Sequence, residues 1–382
     1  MINSLKCLIP LSLIILFSTT ANAQSNITNA ENEIQSIMKD LDAVGLSVAV
    51  VKKGKIIYTH SFGFKNKESN TALSDTDIFR IASISKSFSA TAVMQLVEVG
   101  KLSLNDDISK LIGFKIRNPK YPETVVTLKM LMSHSSSIND SQGYFNLDNI
   151  NPEKNVNWEK CYNNYEPGKG YRYCNLNYNL TGAVIEKYSG ERFDNYIVQH
   201  ILKPLDIYGG YCIDSLDAKR FATLYEYDTL KKTLIASPAA YDSRADDLRT
   251  YKMGYSTPIF SPTGGLKISA TDLAKDMIMH MNYGKANRVR IISKKSAKLM
   301  QTPVLASSKY GLAITTADNL IPGISLKGHT GSAYGLFSAM FFDPKEKFGI
   351  VVINNGCNPK YKDGFQDILR LSINSLYNNF IK

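Results

Sequence analysis

Segments typical of β-strands lie near both ends of this 382-residue chain, and this arrangement limits the folds that the chain can adopt. Apolar and polar residues alternate through residues 46–64 around a turn signal at Lys53-Gly54, which predicts a β-hairpin. Two further strand-like runs, residues 335–343 and 347–355, lie close to the end of the chain. We therefore expect strands from the two ends to share one antiparallel sheet.

Helical patterns occupy much of the remaining sequence. Apolar residues cover most of the circumference of a predicted helix from Ile84 to Val99, so this helix should be buried. Residues 101–254 differ in character, because they are rich in Asn and Tyr and contain only short helical patterns. The sequence predicts an α+β fold whose antiparallel sheet, built from about residues 24–100 and 255–382, is flanked by helices and carries residues 101–254 as an inserted, mainly helical region.

The first 23 residues have the features of a secretory signal peptide. Lys6 precedes an apolar stretch, residues 8–17, and an A-x-A cleavage pattern ends at Ala23. The apolar stretch is too short for a transmembrane anchor, which needs about 20 residues, and no later segment is long and apolar enough to span. We therefore expect the domain of residues 24–382 to be exported to a periplasmic or extracellular location.

The charge and the cysteine and histidine patterns argue against several classes of function. The formal net charge is +11, but the basic residues are scattered, so we expect no nucleic-acid partner. The histidines are dispersed and neither C-x-x-C nor H-E-x-x-H occurs, so we expect no metal site. Cys161 and Cys174 could pair in an oxidising compartment, although a sequence cannot establish disulfide connectivity.

Ser83 and Lys86 form an S-x-x-K motif at the start of the predicted buried helix. Residues three apart share a helix face, so the lysine amine can reach the serine hydroxyl. Burial favours a neutral amine, which makes Lys86 a suitable base for a nucleophilic Ser83. The alternative is that Ser83 only caps the helix. A second match, from Ser36 to Lys39, lies on or near a surface of the first predicted helix and is interpreted as chance.

Two further short motifs occur where a site could be built. Tyr173 and Asn175 form a Y-x-N motif that follows a Pro-Gly turn and opens an amphipathic helix. His329, Thr330 and Gly331 form an H-T-G motif just before the last two predicted strands. Each motif is weak on its own, because Y-x-N recurs in other segments and H-T-G is compatible with a simple turn.

The order S-x-x-K, Y-x-N and [KH]-T-G resembles that of the serine β-lactamase and penicillin-binding-protein superfamily. The Y-x-N form is similar to that of its class C β-lactamases, DD-carboxypeptidases and related esterases. Residues 128–138 and 261–276 also resemble segments of these proteins, and the resemblance extends over roughly residues 30–380. It implies a β-lactamase/transpeptidase-like fold and a serine hydrolase that needs no metal or organic cofactor.

The resemblance implies a role for each motif residue. Ser83 attacks a carbonyl carbon and forms an acyl-enzyme, and Lys86 and Tyr173 share the proton transfers. Asn175 orients Lys86 and the amide side chain of the substrate. The backbone N–H groups of Ser83 and Ser332 form the oxyanion hole.

Some residues depart from the family pattern. His329 stands where β-lactamases usually carry Lys, near Tyr173 and the substrate carboxylate, which Thr330 can hydrogen-bond. A neutral imidazole does not supply a fixed positive charge, which weakens a β-lactamase assignment. Ser137 stands where the family usually has Gly, and Cys174 at the centre of Y-x-N is interpreted as a packing residue.

These observations favour an exported serine hydrolase with a small-molecule or peptide substrate. D-amino-acid-containing peptides such as cell-wall peptides, esters and β-lactams all remain candidate substrates. The alternative is a sensor on the same fold that binds penicillins or muropeptides without turnover. An α/β-hydrolase is disfavoured, because the chain contains no G-x-S-x-G motif. The oligomeric state is left open.

Overall fold

The computed structural model describes the backbone of residues 12–382 and the side chains of residues 24–382. The predicted signal peptide, residues 1–23, therefore lies outside the fully described part of the chain. Among the helices of the described part, none combines the length and the hydropathy needed to cross a membrane.

Helices and strands are interleaved along the described chain. The strands are β1 (Gly45–Lys52), β2 (Lys55–Asn66), β3 (Thr71–Ala72), β4 (Phe79–Arg80), β5 (Gly209–Gly210), β6 (Tyr225–Asp228), β7 (Thr233–Ala236), β8 (Lys267–Ile268), β9 (Lys285–Ala286), β10 (Val289–Arg290), β11 (Thr315–Ile321), β12 (Ile324–Ala333), β13 (Leu336–Asp343), β14 (Phe348–Asn354), β15 (Tyr361–Lys362) and β16 (Phe365–Gln366). The α-helices are α1 (Ser12–Asp40), α2 (Ser85–Glu98), α3 (Ile108–Ile112), α4 (Leu128–Met132), α5 (Asn175–Ser189), α6 (Phe193–Ile197), α7 (Ala245–Arg249), α8 (Ala270–Met281), α9 (Lys294–Met300) and α10 (Asp367–Leu376).

A seven-stranded antiparallel sheet forms the centre of the fold, in the order β11-β12-β13-β14-β1-β2-β3. Strand β14, near the end of the chain, pairs with β1, near its start, so that Leu46 lies opposite Asn354 and Lys52 opposite Phe348. The expected antiparallel sheet flanked by helices, with strands from both ends of the chain, is therefore confirmed.

The predicted hairpin is formed by β1 and β2. Its turn residues Lys53 and Gly54 both have positive φ angles, +52° and +72°, which match the right-handed twist of paired strands. In Lys53 this conformation is uncommon for a residue with a side chain, whereas Gly54 adopts it without steric cost. The turn fixes the register of the two strands.

Helices cover both faces of the central sheet. Along β1, Val48 and Val50 belong to the apolar cluster that contains residues of α1 and α10. The alternate residues Ala49 and Val51 belong to the larger cluster, which contains residues of α8. This alternation follows from the two-residue period of a strand. Because both faces are buried, β1 and β14 are continuous apolar runs rather than alternating ones.

Residues 101–254 contain short helices and a hairpin, β6 and β7, that the sequence pattern did not predict. A small three-stranded sheet, in the order β4-β8-β5, links this region to the rest of the chain. Strand β4 leads directly into the S-x-x-K segment. The small sheet therefore sets the position from which α2 begins.

The buried carboxylate of Glu186 connects α5 to the segment that follows α7. It accepts hydrogen bonds from the Gly254 N–H at 2.6 Å, the Thr257 hydroxyl at 2.6 Å and the Phe193 N–H at 2.7 Å, and also from the Tyr251 hydroxyl. A charge so deeply buried is tolerated only when its hydrogen-bonding capacity is used in this way. The contact holds residues 251–257 against α5, and this segment leads into the loop beside Lys86.

We expect Glu186→Gln to lower the free energy of unfolding by about 3 kcal/mol, because the new amide would direct N–H donors at groups that are themselves donors. Urea unfolding followed by circular dichroism measures this change. The matched control is Glu153→Gln, which alters an exposed side chain and should stay within about 0.5 kcal/mol of the parent. If the two variants were equally stable, the hydrogen bonds of Glu186 would not be what holds residues 251–257 against α5.

Candidate active site

Ser83 lies in a short 3₁₀ turn, Ala82–Ile84, that leads directly into α2. The residue before it, Ala82, has a φ angle of +50°, a left-handed conformation that is uncommon for a residue with a side chain. The Ser85 hydroxyl donates to the Ala82 carbonyl at 2.6 Å and helps to hold this turn. A backbone strained in this way is found most often at functional sites, where the surrounding structure maintains it.

Strand β12 approaches the turn closely at Gly331. A Cβ atom at this position would lie 2.3 Å from the Ile81 carbonyl oxygen, so any residue with a side chain would push the strand away. The Ser338 hydroxyl on β13 donates to the same carbonyl at 2.9 Å. The glycine of the H-T-G motif therefore allows β12 to lie beside the Ser83 turn.

The Lys86 amine lies at the centre of the site and is fully buried. It donates to Ser83 Oγ at 3.1 Å, to Asn175 Oδ1 at 3.0 Å and to the Thr263 carbonyl at 2.8 Å. Burial lowers the pKa of Lys86 from 10.5 to about 7, because the charged ammonium loses its hydration. Near neutral pH a substantial fraction of the amine is thus unprotonated and able to accept a proton from Ser83.

Tyr173 lies beside the same amine. Lys86 Nζ is 4.7 Å from the centre of the Tyr173 ring, and the buried hydroxyl makes no hydrogen bond with the described residues. Burial raises the pKa of Tyr173, and the nearby Ser83 hydroxyl only partly offsets this effect. The phenol is therefore protonated over the pH range in which Lys86 titrates.

Asp140 fixes the orientation of Asn175. Its carboxylate accepts from the Asn175 N–H at 2.8 Å, the Leu176 N–H at 2.9 Å and Asn175 Nδ2 at 3.1 Å. The first two contacts cap the N-terminus of α5, whose own N-cap residue, Cys174, makes no capping bond. The third occupies the amide nitrogen, so Asn175 Oδ1 faces Lys86 and also accepts from the Thr263 hydroxyl at 2.8 Å.

His329 has both ring nitrogens engaged by neighbouring groups. A carbonyl can only accept, so Nδ1 donates to the Thr330 carbonyl, and Nε2 accepts from the Tyr310 hydroxyl at 3.0 Å. Burial, and then the charge of Lys86, lower the pKa of His329 to about 4. The imidazole is neutral and presents neither nitrogen to a ligand, although its ring lies 6.1 Å from that of Tyr173.

An open cavity of about 430 Å³ connects several of these residues. Of the residues singled out in the sequence, Ser83, Tyr173, Asn175 and Ser332 line it. Lys86, His329 and Thr330 do not line it: the first two are buried, and Thr330 is partly exposed. The second S-x-x-K match, Ser36 and Lys39, is exposed on α1.

Two of the departures from the family pattern have local explanations. Ser137 has a φ angle of +63°, the conformation that glycine adopts most easily, and its hydroxyl accepts from Asn118 Nδ2 at 3.0 Å. No disulfide joins Cys161 and Cys174, since both are free. The Cys174 thiol instead donates to Asp140 Oδ1 at 3.1 Å.

Sequence reasoning missed Asp140, Thr263 and Tyr310, which hold Asn175, Lys86 and His329 respectively. Each lies far along the chain from the group that it contacts. Asp140 lies two residues after residues 128–138, a segment that resembles the family, so its position in the sequence could have pointed to the site. Nothing in the local sequence marks Tyr310 as the partner of a histidine.

The comparisons with known proteins agree with this arrangement. A family model described as Beta-lactamase matches residues 30–373. The chain belongs to the beta-lactamase family. Protein flp of Staphylococcus aureus is 25% identical over 329 residues, which are 81% of this chain and 59% of flp. The chain thus spans less than two thirds of the length of this family relative.

Solved structures of the beta-lactamase fold superimpose on most of the chain. An octameric penicillin-binding protein homologue from Pyrococcus abyssi has a TM-score of 0.73 and 27% identity, covering 92% of this chain and 77% of that one. A D-amino acid amidase from Ochrobactrum anthropi has a TM-score of 0.67 and 20% identity, covering 92% and 98%. The second likeness concerns the fold alone.

We expect the labelling of Ser83 by a fluorophosphonate probe to increase with pH through about pH 7, as Lys86 loses its proton, and then to level off. The Asp140 charge raises the pKa of Lys86. Asp140→Asn should therefore move the midpoint to lower pH, because the ammonium loses a stabilising anion. Labelling rates measured between about pH 5 and about pH 9 give both midpoints.

The matched control for the Asp140 experiment is Asp242→Asn, which removes the same charge from an exposed position and should leave the midpoint unchanged. Asp140→Ala additionally removes the cap of α5, and we expect it to lower the free energy of unfolding by about 1 kcal/mol. A midpoint that moved upward in Asp140→Asn would contradict the proposed coupling.

Proposed function

We propose that this protein is a serine hydrolase that acts through an acyl-enzyme on Ser83. The observation that carries the proposal is the 3.1 Å contact between Lys86 Nζ and Ser83 Oγ, made by a buried amine whose pKa is lowered to about 7. Such an amine is an effective base near neutral pH, because its neutral form is well populated. Membership of the beta-lactamase family supports the same reaction class.

In the proposed reaction, Ser83 Oγ forms a bond to the substrate carbonyl carbon while its proton passes to Lys86 Nζ. The bond to the leaving group then breaks, and the proton returns from Lys86, with the Tyr173 hydroxyl as relay, to the leaving oxygen or nitrogen. A water molecule next attacks the acyl carbon and gives a proton to the same amine. The bond between the acyl carbon and Ser83 Oγ then breaks, Ser83 Oγ takes the proton back from Lys86, and the acid is released. Tyr173 acts in its protonated form throughout, because burial raises the pKa of its phenol.

The backbone N–H groups of Ser83 and Ser332 are proposed to bind the negative oxygen that develops on the carbonyl. Both residues line the cavity, and Gly331 allows β12 to lie close enough to Ala82 for the two groups to converge. Loss of one such donor typically costs about 3–4 kcal/mol in the transition state.

The preferred leaving groups are proposed to lack a carboxylate. His329 is neutral and its nitrogens are engaged, so the H-T-G motif offers no fixed positive charge there. This favours esters and D-amino-acid amides over β-lactams and peptides with a C-terminal carboxylate. Neighbours of the same fold include the D-amino acid amidase and a hydrolase with promiscuous acyltransferase activity.

We further propose that residues 1–23 direct export and that the hydrolase works outside the cytoplasm. The basis is the sequence pattern of a charged start, an apolar stretch and an A-x-A site. An N-terminus at Gln24 in protein recovered from outside the cytoplasm would support this; retention of residues 1–23 would contradict it.

Ser83→Ala should abolish both ester hydrolysis and fluorophosphonate labelling, since the nucleophilic oxygen is removed, while the fold is retained. Release of 4-nitrophenol from short-chain esters measures turnover, and intact mass measures labelling. The matched control is Ser36→Ala, in the exposed S-x-x-K of α1, which should behave like the parent. Activity that persisted in Ser83→Ala would falsify the assignment.

His329→Lys should increase acylation by benzylpenicillin at least about tenfold, because a cation would now be available to the carboxylate of the drug. His329→Gln, which stays neutral, is the control and should show no such gain. Intact mass over time distinguishes the outcomes: a persistent adduct indicates slow deacylation, as expected of a sensor, whereas transient modification indicates hydrolysis. No gain in His329→Lys would show that charge at this position does not determine substrate preference.

A further inference from the structure

Arg80 and Lys267 are two buried basic residues without an acidic partner. They lie directly opposite each other in the pairing of β4 with β8, and each is only 6% exposed. Like charges in opposite positions of a sheet repel each other, and buried charges are normally paired with an opposite charge. Within the described part of the chain, neither residue forms an ion pair. Burial, and then the charge of Arg80, hold the pKa of Lys267 well below its usual value, which favours the neutral amine, so the charge that calls for an explanation is that of the Arg80 guanidinium.

Both side chains donate to neutral acceptors. Arg80 Nε donates to the Gly264 carbonyl at 3.1 Å and one terminal nitrogen, Nη2, donates to Ser261 Oγ at 3.3 Å. The other terminal nitrogen, Nη1, has no acceptor among the described residues. Lys267 Nζ donates only to the Tyr211 carbonyl, at 2.7 Å. These contacts orient the two side chains, and none of them brings an acid to the guanidinium of Arg80.

Arg80 lines the same cavity as Ser83. Its guanidinium lies 4.9 Å from the centre of the Tyr334 ring, which also forms part of the cavity wall, so its position is fixed. Lys267 is not on the wall; it lies opposite Arg80 in the pairing of β4 with β8. The surface of the cavity near Arg80 is therefore positive and preorganised.

Other charged groups modify this field without cancelling it. Arg244 adds positive charge, and its presence lowers the pKa of both Arg80 and Lys267, after the larger effect of burial. Asp214 is exposed and accepts from the Arg244 N–H at 2.8 Å. The one carboxylate among the cavity-lining residues belongs to Glu226, which is exposed and forms no ion pair with Arg80.

The location of Arg80 indicates which part of a substrate it would meet. The proton-transfer groups Lys86 and Tyr173 lie on the His329 side of Ser83, where a leaving group must receive its proton. Arg80 lies with Tyr334, beyond the other end of β12. From His329 to the end of β12 at Ala333 the strand extends about 13 Å, at roughly 3.3 Å per residue. An acyl part that points away from Tyr173 and toward Tyr334 would meet Arg80.

We propose that Arg80 forms an anion subsite that binds a carboxylate on the acyl part of the substrate. The proposal rests on the proposed acyl-enzyme function. A guanidinium binds a carboxylate through charge-assisted hydrogen bonds, which are roughly twice as strong as those between neutral groups. His329 supplies no positive charge on the leaving-group side of the site, and Arg80 supplies one on the acyl side.

The test compares two esters with the same leaving group. One is the mono-4-nitrophenyl ester of adipic acid, whose acyl chain ends in a carboxylate, and the other is its terminal amide. The protein should hydrolyse the carboxylate ester with at least about tenfold higher kcat/KM, mainly through a lower KM, and added salt should reduce this preference.

Substitutions test whether Arg80 causes the preference for the carboxylate ester. Arg80→Gln should reduce the ratio of the two kcat/KM values to about one. Glu226→Gln, an exposed substitution that should not disturb folding, should increase the ratio by removing a competing anion from the wall. The matched control is Arg288→Gln, which removes one positive charge from an exposed position and should leave the ratio unchanged.

The outcomes separate this proposal from the one on which it rests. If neither ester is hydrolysed by the parent protein, the proposed function fails. If both are hydrolysed at equal kcat/KM, or if the ratio does not respond to Arg80→Gln and Glu226→Gln, the hydrolase assignment stands and the anion subsite is overturned.

Discussion

The organisation of the cavity depends on the hydrogen bonds that the buried Lys86 amine makes. Its three acceptors come from separate parts of the chain: Ser83 from the turn before α2, Asn175 from the start of α5, and the Thr263 carbonyl from the loop before β8. An unpaired ammonium is costly to bury, so it must be surrounded by acceptors. The same desolvation cost lowers the pKa of Lys86, so its need for acceptors and its ability to act as a base near neutral pH have one cause.

A carboxylate near each end of helix α5 connects the helix to a segment that is distant in the sequence. At its N-terminus Asp140 binds the free N–H groups of Asn175 and Leu176, where a negative charge is also favoured by the helix dipole. Near its C-terminus Glu186 binds the segment around Gly254 and Thr257. The orientation of the Asn175 amide therefore follows from how the whole helix is anchored.

Patterns with a short period predicted much of the architecture. The β1–β2 hairpin, the buried α2 and the strands β13 and β14 follow from strand-like apolar runs, the Lys53-Gly54 turn signal and helical periodicity, and the motif order located four of the residues that line the cavity. Contacts between segments that are distant in the sequence could not be predicted from such patterns. The β6–β7 hairpin, the pairing of Arg80 with Lys267 and the hydrogen bond from Tyr310 to His329 depend on which distant segments meet, and no local pattern encodes that. The disulfide considered for Cys161 and Cys174 does not form: the Cys174 thiol donates to Asp140 and the Cys161 thiol to the Asn149 carbonyl.

The pairing of β1 with β14 also has a consequence for how the chain reaches its native state. The first long strand of the central sheet has its partner about three hundred residues later, and closing so long a loop slows folding, because entropy is lost before contacts form. During synthesis, β1 and β2 can form only a hairpin, which is marginally stable alone. The central sheet can therefore be completed only once β14 has been synthesised, and a chain truncated before β14 would leave the apolar edge of β1 open to pairing with other chains.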